Sequence, residues 1–170
     1  MSLRSGWRLA IGTLTILPSG PVDPSASAAR WLVALAPIAV LPLAVGAAAV
    51  SAAGTVVGAP GLVTGLLVVG LLAILTRGMH LDAVADVADG TGAGWDPERA
   101  RAVMKRGDIG PMGVIALIVV LGLQAASIAA VTATPNGWLL IGIVVAASRW
   151  LLAPVCAGVP AMPGSSLGAV

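Results

Sequence analysis

Long stretches without a single charged residue alternate with one short stretch crowded with them. Four of the uncharged or nearly uncharged stretches read as membrane-crossing helices: about Trp31–Ala53, Val56 or Gly61 to Thr76, Met112–Ala133 and Trp138–Val155. Each approaches the roughly 20 residues that a helix needs to cross about 30 Å of hydrocarbon. Ala, Val, Leu and Gly dominate them, and small residues let helices approach closely in lipid. Glycines such as Gly46, Gly65 and Gly70 would weaken a helix in water. In a bilayer the backbone must bond to itself, so helix is still predicted. Gly54, Gly58, Pro60 and Gly61 mark the break between the first two spans. Thr134-Pro135-Asn136-Gly137 is a short polar turn between the last two.

The N-terminal segment differs. Arg4 and Arg8 precede an apolar run, Leu9 to Leu17, and Pro18, Pro21 and Pro24 break the chain after it. A cleaved leader ending near Ala26-Ser27-Ala28 fits part of this pattern, but cleavage would leave Arg30 on the outer side. An interfacial or re-entrant cytoplasmic segment is expected instead. The predicted fold class is therefore all-α: a polytopic helical membrane protein with about four transmembrane helices and a short N-terminal interfacial or re-entrant segment. Residues 1–170 form a single membrane domain, with 77–110 as a catalytic loop within it.

Composition agrees. Of the 170 residues, 58% are apolar and 9% charged, against about 25% charged in an ordinary soluble domain. Mean hydropathy is +1.03. The high pI carries no nucleic-acid footprint, because the net charge is +2 and no basic stripe exists. Phe and Tyr are absent, which argues against a barrel with aromatic girdles. Cys156 is the single cysteine, so no intrachain disulfide can form.

Eleven of the sixteen charged residues lie between Arg77 and Asp108. Neither turn, 54–60 or 134–137, holds a Lys or Arg, whereas Arg4, Arg8, Arg30, Arg77, Arg99, Arg101, Lys105 and Arg106 fall on the other side. The positive-inside rule places the N-terminus and the 77–110 loop in the cytoplasm, with Trp31 and Trp138 at the interfaces. Within that loop Asp82, Asp86 and Asp89 are spaced i, i+4, i+7, which puts them within about 60° on one stripe of a helix. No Lys or Arg lies between Gly78 and Glu98. Like charges one turn apart repel, so the stripe is poor as structure and suited to a divalent cation. Mg²⁺ takes carboxylate oxygens and shares them with substrate phosphates. A solvated helix face is the plainer alternative; the position directly after a span, in a chain almost empty of charge, favours the metal site.

Asp89-Gly90 should end that helix, with a flexible loop over Thr91–Gly94. Asp96 caps a second helix, about Pro97 to Arg106, with Pro97 at its first position and Glu98 at its positive end. It carries Arg99, Arg101, Lys105 and Arg106. The loop thus has an acidic half followed by a basic half, as metal plus phosphate would require; the basic residues also serve as topology anchors. His80 stands about 200° from Asp82 on a helix, so it points away from the carboxylates, as an interfacial polar group or a catalytic one. Arg149, eleven residues into the fourth span, either serves function or snorkels to the interface.

Arg77-Gly-Met-His80-Leu-Asp82-Ala-Val-Ala-Asp86-Val-Ala-Asp89-Gly90 resembles the R-G-x-x-H-L-D-G-L-A-D-T-A-D-G signature of cobalamin synthases, the adenosylcobinamide-GDP ribazoletransferases. Asp96-Pro-Glu-Arg-Ala-Arg-Ala-Val-Met-Lys105 with Ile109-Gly110 resembles that family's next block, and Leu14-Thr15-Ile16-Leu17-Pro18 also fits. The sequence departs from the pattern at Ala83, where the family has Gly. It departs at Lys105-Arg106-Gly107-Asp108, where acid and base are exchanged, and in Pro160–Gly168, which lacks the family's arginine. Members of the family are longer, so the chain is expected to be a fragment, a truncated product or a divergent member.

The resemblance implies joining of α-ribazole, or its 5′-phosphate, to adenosylcobinamide-GDP with release of GMP, in the bacterial cytoplasmic (inner) membrane and with Mg²⁺ as cofactor. Asp82 and Asp86 would hold the metal and Asp89 would be ligand or base, with His80 among the catalytic candidates. Arg77, Arg99, Arg101 and Lys105 would contact phosphate. The expected partners are the two small-molecule substrates and the lipid bilayer, with homo-oligomerisation left open. Two other functions fit parts of the pattern. A CDP-alcohol phosphotransferase also holds metal with spaced Asp residues, but only Asp86-Val-Ala-Asp89-Gly90 of its signature is present. A transporter component would use intramembrane carboxylates, whereas these sit at a span end.

Overall fold

The computed structural model describes residues 3–22, 25–94 and 96–158; Asp23, Pro24, Trp95 and the Pro160–Gly168 stretch lie outside them. The described chain is helical: α1 (Leu3–Leu14), α2 (Ala26–Ala39), α3 (Leu41–Val56), α4 (Gly61–Leu75), α5 (Met79–Gly92), α6 (Pro97–Met104), α7 (Pro111–Thr132) and α8 (Gly137–Ala147). A 3₁₀ turn (Ser148–Leu151) then leads into α9 (Leu152–Gly158). Among the described residues three stretches are long and apolar enough to cross a membrane: Ala26–Val56 taken through the break between α2 and α3, Pro111–Thr132, and Gly137–Cys156. A fourth is counted if α4 and α5, a pair bent by 95°, are taken together as one broken span. This is the polytopic helical architecture that the hydropathy pattern predicts.

The differences from the predicted boundaries have local causes. The first span starts at Ala26 rather than near Trp31, because Ser25 caps it: the Ala28 N–H donates to Ser25 Oγ at 3.3 Å. The helix is interrupted at Val40, ahead of Pro42 in the first turn of α3. Gly54, expected in the break, lies inside α3, where a Cβ would collide with the Thr64 side chain of α4. The N-terminal segment forms a helix, α1, packed along α2, and Gly6 gives the room for Trp31 there.

Packing follows the small residues. α4 lies on α7, and α3 lies on α8. At the first contact Gly61 and Gly65 face Ala129 and Ala125, where a side chain on Gly65 would run into the Ala125 backbone. At the second, Gly142 fits against Ala44 and Ala48. Both are small-xxx-small approaches of the kind that substitutes for a hydrophobic driving force in lipid. The buried residues are correspondingly small, chiefly Ala and Val, whereas Leu66, Leu67, Ile74, Ile118, Leu123 and Val144 are exposed, as lipid-facing positions would be.

Candidate active site

The site is built on the bend between α4 and α5. Arg77 and Gly78 both adopt left-handed backbone conformations, at φ 55° and 66°. Glycine does so freely, whereas for a residue with a Cβ this costs about 1 kcal/mol. The Arg77 side chain offsets that cost: its Nη2 donates to the Gly12 carbonyl and, at 3.2 Å, to the Thr15 carbonyl. Those acceptors lie at the C-terminal end of α1, where helix carbonyls lack partners. Around them Thr15 is fully buried. Its hydroxyl donates to the Ile11 carbonyl at 2.8 Å and accepts from the Leu17 N–H at 3.1 Å. The Ile16 N–H donates to the Leu75 carbonyl at 2.7 Å. The Leu14–Pro18 segment therefore joins α1 to the end of α4, and the N-terminal segment sits at the same end of the bundle as α5.

Helix α5 runs across that end with its three aspartates at three depths. Asp82 is exposed, Asp86 half-buried and Asp89 buried. The gradient arises because α5 packs against α7 and its C-terminal part lies closest. Asp89 Oδ2 accepts from the Gly110 N–H at 2.7 Å, and Oδ1 accepts from the Gly113 N–H at 2.8 Å. Gly110 is the N-cap of α7 and Gly113 its third residue, so the carboxylate satisfies two of that helix's unpaired amides and faces its positive end. Glycine is needed at both positions, since a Cβ at either would strike the Asp89 carboxylate.

The expected three-carboxylate stripe is thus divided. Among the described residues no three Asp, Glu, His or Cys side chains come together as a metal-holding group. Asp89 is turned to α7, and Asp82 and Asp86 remain as a pair one helical turn apart. Spacing alone could not show the division, because the partners of Asp89 are backbone amides more than twenty residues away. Gly110 and Gly113, on either side of Pro111-Met112, are the sequence positions that this contact constrains.

A cavity of about 500 Å³ opens beside Asp82, lined by Arg77, Gly78, Asp82, Ile109 and Leu117 among others; Asp86, one turn further along α5, is not part of its wall. Arg77 thus reaches the site while engaged with α1. α6 packs on α5, with Met104 seated over Gly90. As the sequence predicts, Asp96 caps α6, accepting from the Glu98 N–H at 3.0 Å. α6 ends at Met104, before the predicted Arg106, and α5 runs on to Gly92 rather than stopping at Asp89-Gly90. Arg99, Arg101, Lys105 and Arg106 are all exposed at the surface of this unit, so these cations are free to meet a solute. His80 faces elsewhere, into a cavity of about 640 Å³ between α4, α7 and α8 that it shares with Arg149. Burial, and then the Arg149 guanidinium, hold its imidazole below the ordinary histidine pKa.

A family model described as cobalamin-5-phosphate synthase matches residues 6–170. Among curated proteins, an adenosylcobinamide-GDP ribazoletransferase of Nocardioides sp. is 46% identical over 169 residues, covering 98% of this chain and 72% of that protein. The Frankia casuarinae protein of the same name is 35% identical over 174 residues, covering 96% of this chain and 62% of its own length. The one from Bradyrhizobium diazoefficiens is 34% identical over 134 residues, covering 78% and 50%. The chain therefore spans between half and about three quarters of these relatives. No solved structure matches. With a match over nearly its whole length, and with the Arg77–Gly90 and Asp96–Gly110 blocks forming one structural unit at the end of the bundle, the chain belongs to the cobalamin-5-phosphate synthase family.

Proposed function

We propose that the chain carries the activity named for its relatives, transfer between adenosylcobinamide-GDP and α-ribazole or its 5′-phosphate with release of GMP, at the cytoplasmic face of a bacterial inner membrane. The observation that supports it is Asp82 in the wall of an open cavity, with Asp86 one turn further along α5 and exposed cations on the neighbouring helix α6. The family match favours this over a phospholipid phosphotransferase or a transporter component.

The pair fits Mg²⁺. That ion is usually held by one or two carboxylates, with substrate phosphates and water filling the remaining positions. Asp82 and Asp86 supply two carboxylates on one rigid helix, one exposed and one half-buried. A bound Mg²⁺ supplies charge neutralisation and Lewis-acid polarisation to the pyrophosphate. Arg99, Arg101 and Lys105 bind the phosphates and draw them toward α5. The nucleoside 3′-hydroxyl attacks the phosphorus carried by the corrinoid arm, forming a P–O bond, and the bond to the GMP phosphate breaks. The hydroxyl proton passes to a carboxylate oxygen of the pair that is not engaged with metal, and GMP departs with the bonding electrons. Asp89 and Arg77 act through position: one fixes α5 to α7, the other fixes the bend. The test is GMP release by the purified protein in vesicles. Release that requires both substrates supports the assignment; none at any Mg²⁺ concentration, from protein that is folded, overturns it.

A further inference from the structure

We propose that the cavity between α4, α7 and α8 is a binding site for an anionic phospholipid, with Arg149 and His80 receiving its phosphate. The proposal stands apart from the transferase assignment, because it uses neither the carboxylate pair nor the cations of α6.

The cavity has two unlike ends. Thr76, His80, Ser148 and Arg149 line the end nearest the α4–α5 bend, whereas Ile128, Val131, Leu140 and Ile141 line the depth of the bundle. Arg149 Nε and His80 Nδ1 are buried and have no hydrogen-bond partner among the described residues. Arginine carries five N–H donors, yet the guanidinium makes one bond among the described residues, from Nη1 to Ser148 Oγ at 3.3 Å. The Ser148 hydroxyl itself donates to the Val145 carbonyl at 2.7 Å. A cation within a membrane span without a counter-charge is costly, and such residues pair or mark a ligand. An anion reaching Arg149 would satisfy both orphan groups at once.

Position identifies the anion's carrier. At 1.5 Å per residue Arg149 lies about 18 Å along the span from Gly137, in the cytoplasmic half of about 30 Å of hydrocarbon, where a long side chain reaches toward the interface. Leu123 and Val144, which line the cavity, are also exposed, so it opens at the side of the described bundle. A phosphate held by a guanidinium that reaches toward the cytoplasmic interface, joined to an apolar body running between the helices, is the shape of a phospholipid. A water-soluble phosphate ester would leave the apolar part of the cavity unfilled.

The experiment compares thermal unfolding of the full chain in neutral detergent with added dioleoylphosphatidylglycerol, dioleoylphosphatidylcholine or glycerol 3-phosphate. A ligand that binds the folded state raises the unfolding temperature by mass action. Phosphatidylglycerol should raise it by several degrees more than phosphatidylcholine, Arg149→Gln should abolish that difference, and glycerol 3-phosphate should have no effect. Val144→Trp, which fills the cavity from its lipid side and leaves the arginine in place, should also abolish it. It decides the matter if Arg149→Gln does not fold. Equal shifts from both lipids, a full shift in Val144→Trp, or an equal shift from glycerol 3-phosphate would each overturn the proposal. The last would mark a site for soluble anions, the first a surface that does not read the headgroup, and the second a lipid site elsewhere on the protein.

Discussion

Replacing Asp89 by Asn should cost stability rather than metal affinity. The wild-type carboxylate accepts from two amides, at 2.7 and 2.8 Å, from a buried position. Hydrogen bonds to a charged acceptor contribute about 1.5–3 kcal/mol each. Asn keeps one acceptor oxygen, so one bond survives in weakened form. Its NH₂ group then faces the second amide, donor against donor, which leaves buried groups unsatisfied at about 1–3 kcal/mol. The loss of negative charge at the start of α7 adds about 0.3–1 kcal/mol. Some relaxation of the Gly110–Gly113 turn will recover part of this, so the net cost should be about 2–4 kcal/mol, in line with the larger class of single-site effects. Thermal unfolding in detergent, followed by helical circular dichroism, should show a clearly lower midpoint. Gly113→Ala should do the same. In an ordinary helix Ala is favoured over Gly by about 1 kcal/mol, but here the added methyl meets the Asp89 carboxylate and sits 3.1 Å from the Ala85 carbonyl. If Asp89→Asn unfolds at the wild-type temperature while its Mg²⁺ affinity falls, the capping role is wrong and the carboxylate belongs with the metal.

Replacing Arg99, Arg101 and Lys105 together by Gln should raise the KM for adenosylcobinamide-GDP at unchanged expression, with the arginines mattering more than the lysine if contact is bidentate; normal kinetics would assign them to topology alone. Gly78→Ala should destabilise the α4–α5 bend by about 1 kcal/mol, because its φ of 66° disfavours a Cβ, and an unchanged unfolding midpoint would count against the bend as a fixed element. In a Cys156→Ser background, a cysteine at Thr91 should react with a membrane-impermeant reagent only from the cytoplasmic side, and labelling from outside would invert the topology.

The spans were legible because the bilayer allows few solutions. An uncharged run near 20 residues must satisfy its own backbone, so Pro111–Thr132 and Gly137–Cys156 emerge close to their predicted limits. Ser25 moved the first boundary, since a cap can lie several residues before the apolar run it serves. The carboxylate stripe was legible as a periodicity, and the periodicity is real. Its division was not, because a helical wheel describes one helix and the partner of Asp89 is another. The same holds for Arg77, whose type and position suggest a phosphate ligand, while its bonds to Gly12 and Thr15 depend on where α1 lies. Arg149 and His80, far apart in sequence, meet in one cavity only through the packing of α4, α7 and α8.

The most direct measurement of the proposed chemistry is GMP release by Asp82→Asn and Asp86→Asn, each in vesicles and titrated with Mg²⁺. The two side chains keep their shape and lose their charge, and neither carries the capping bonds of Asp89, so both variants should insert and unfold as the wild type does. Each should lose activity by about 10²-fold or more, equivalent to several kcal/mol of lost transition-state stabilisation, with the Mg²⁺ requirement shifted to higher concentration. Full activity and an unchanged Mg²⁺ response in both would contradict the metal site and leave α5 a solvated helix face.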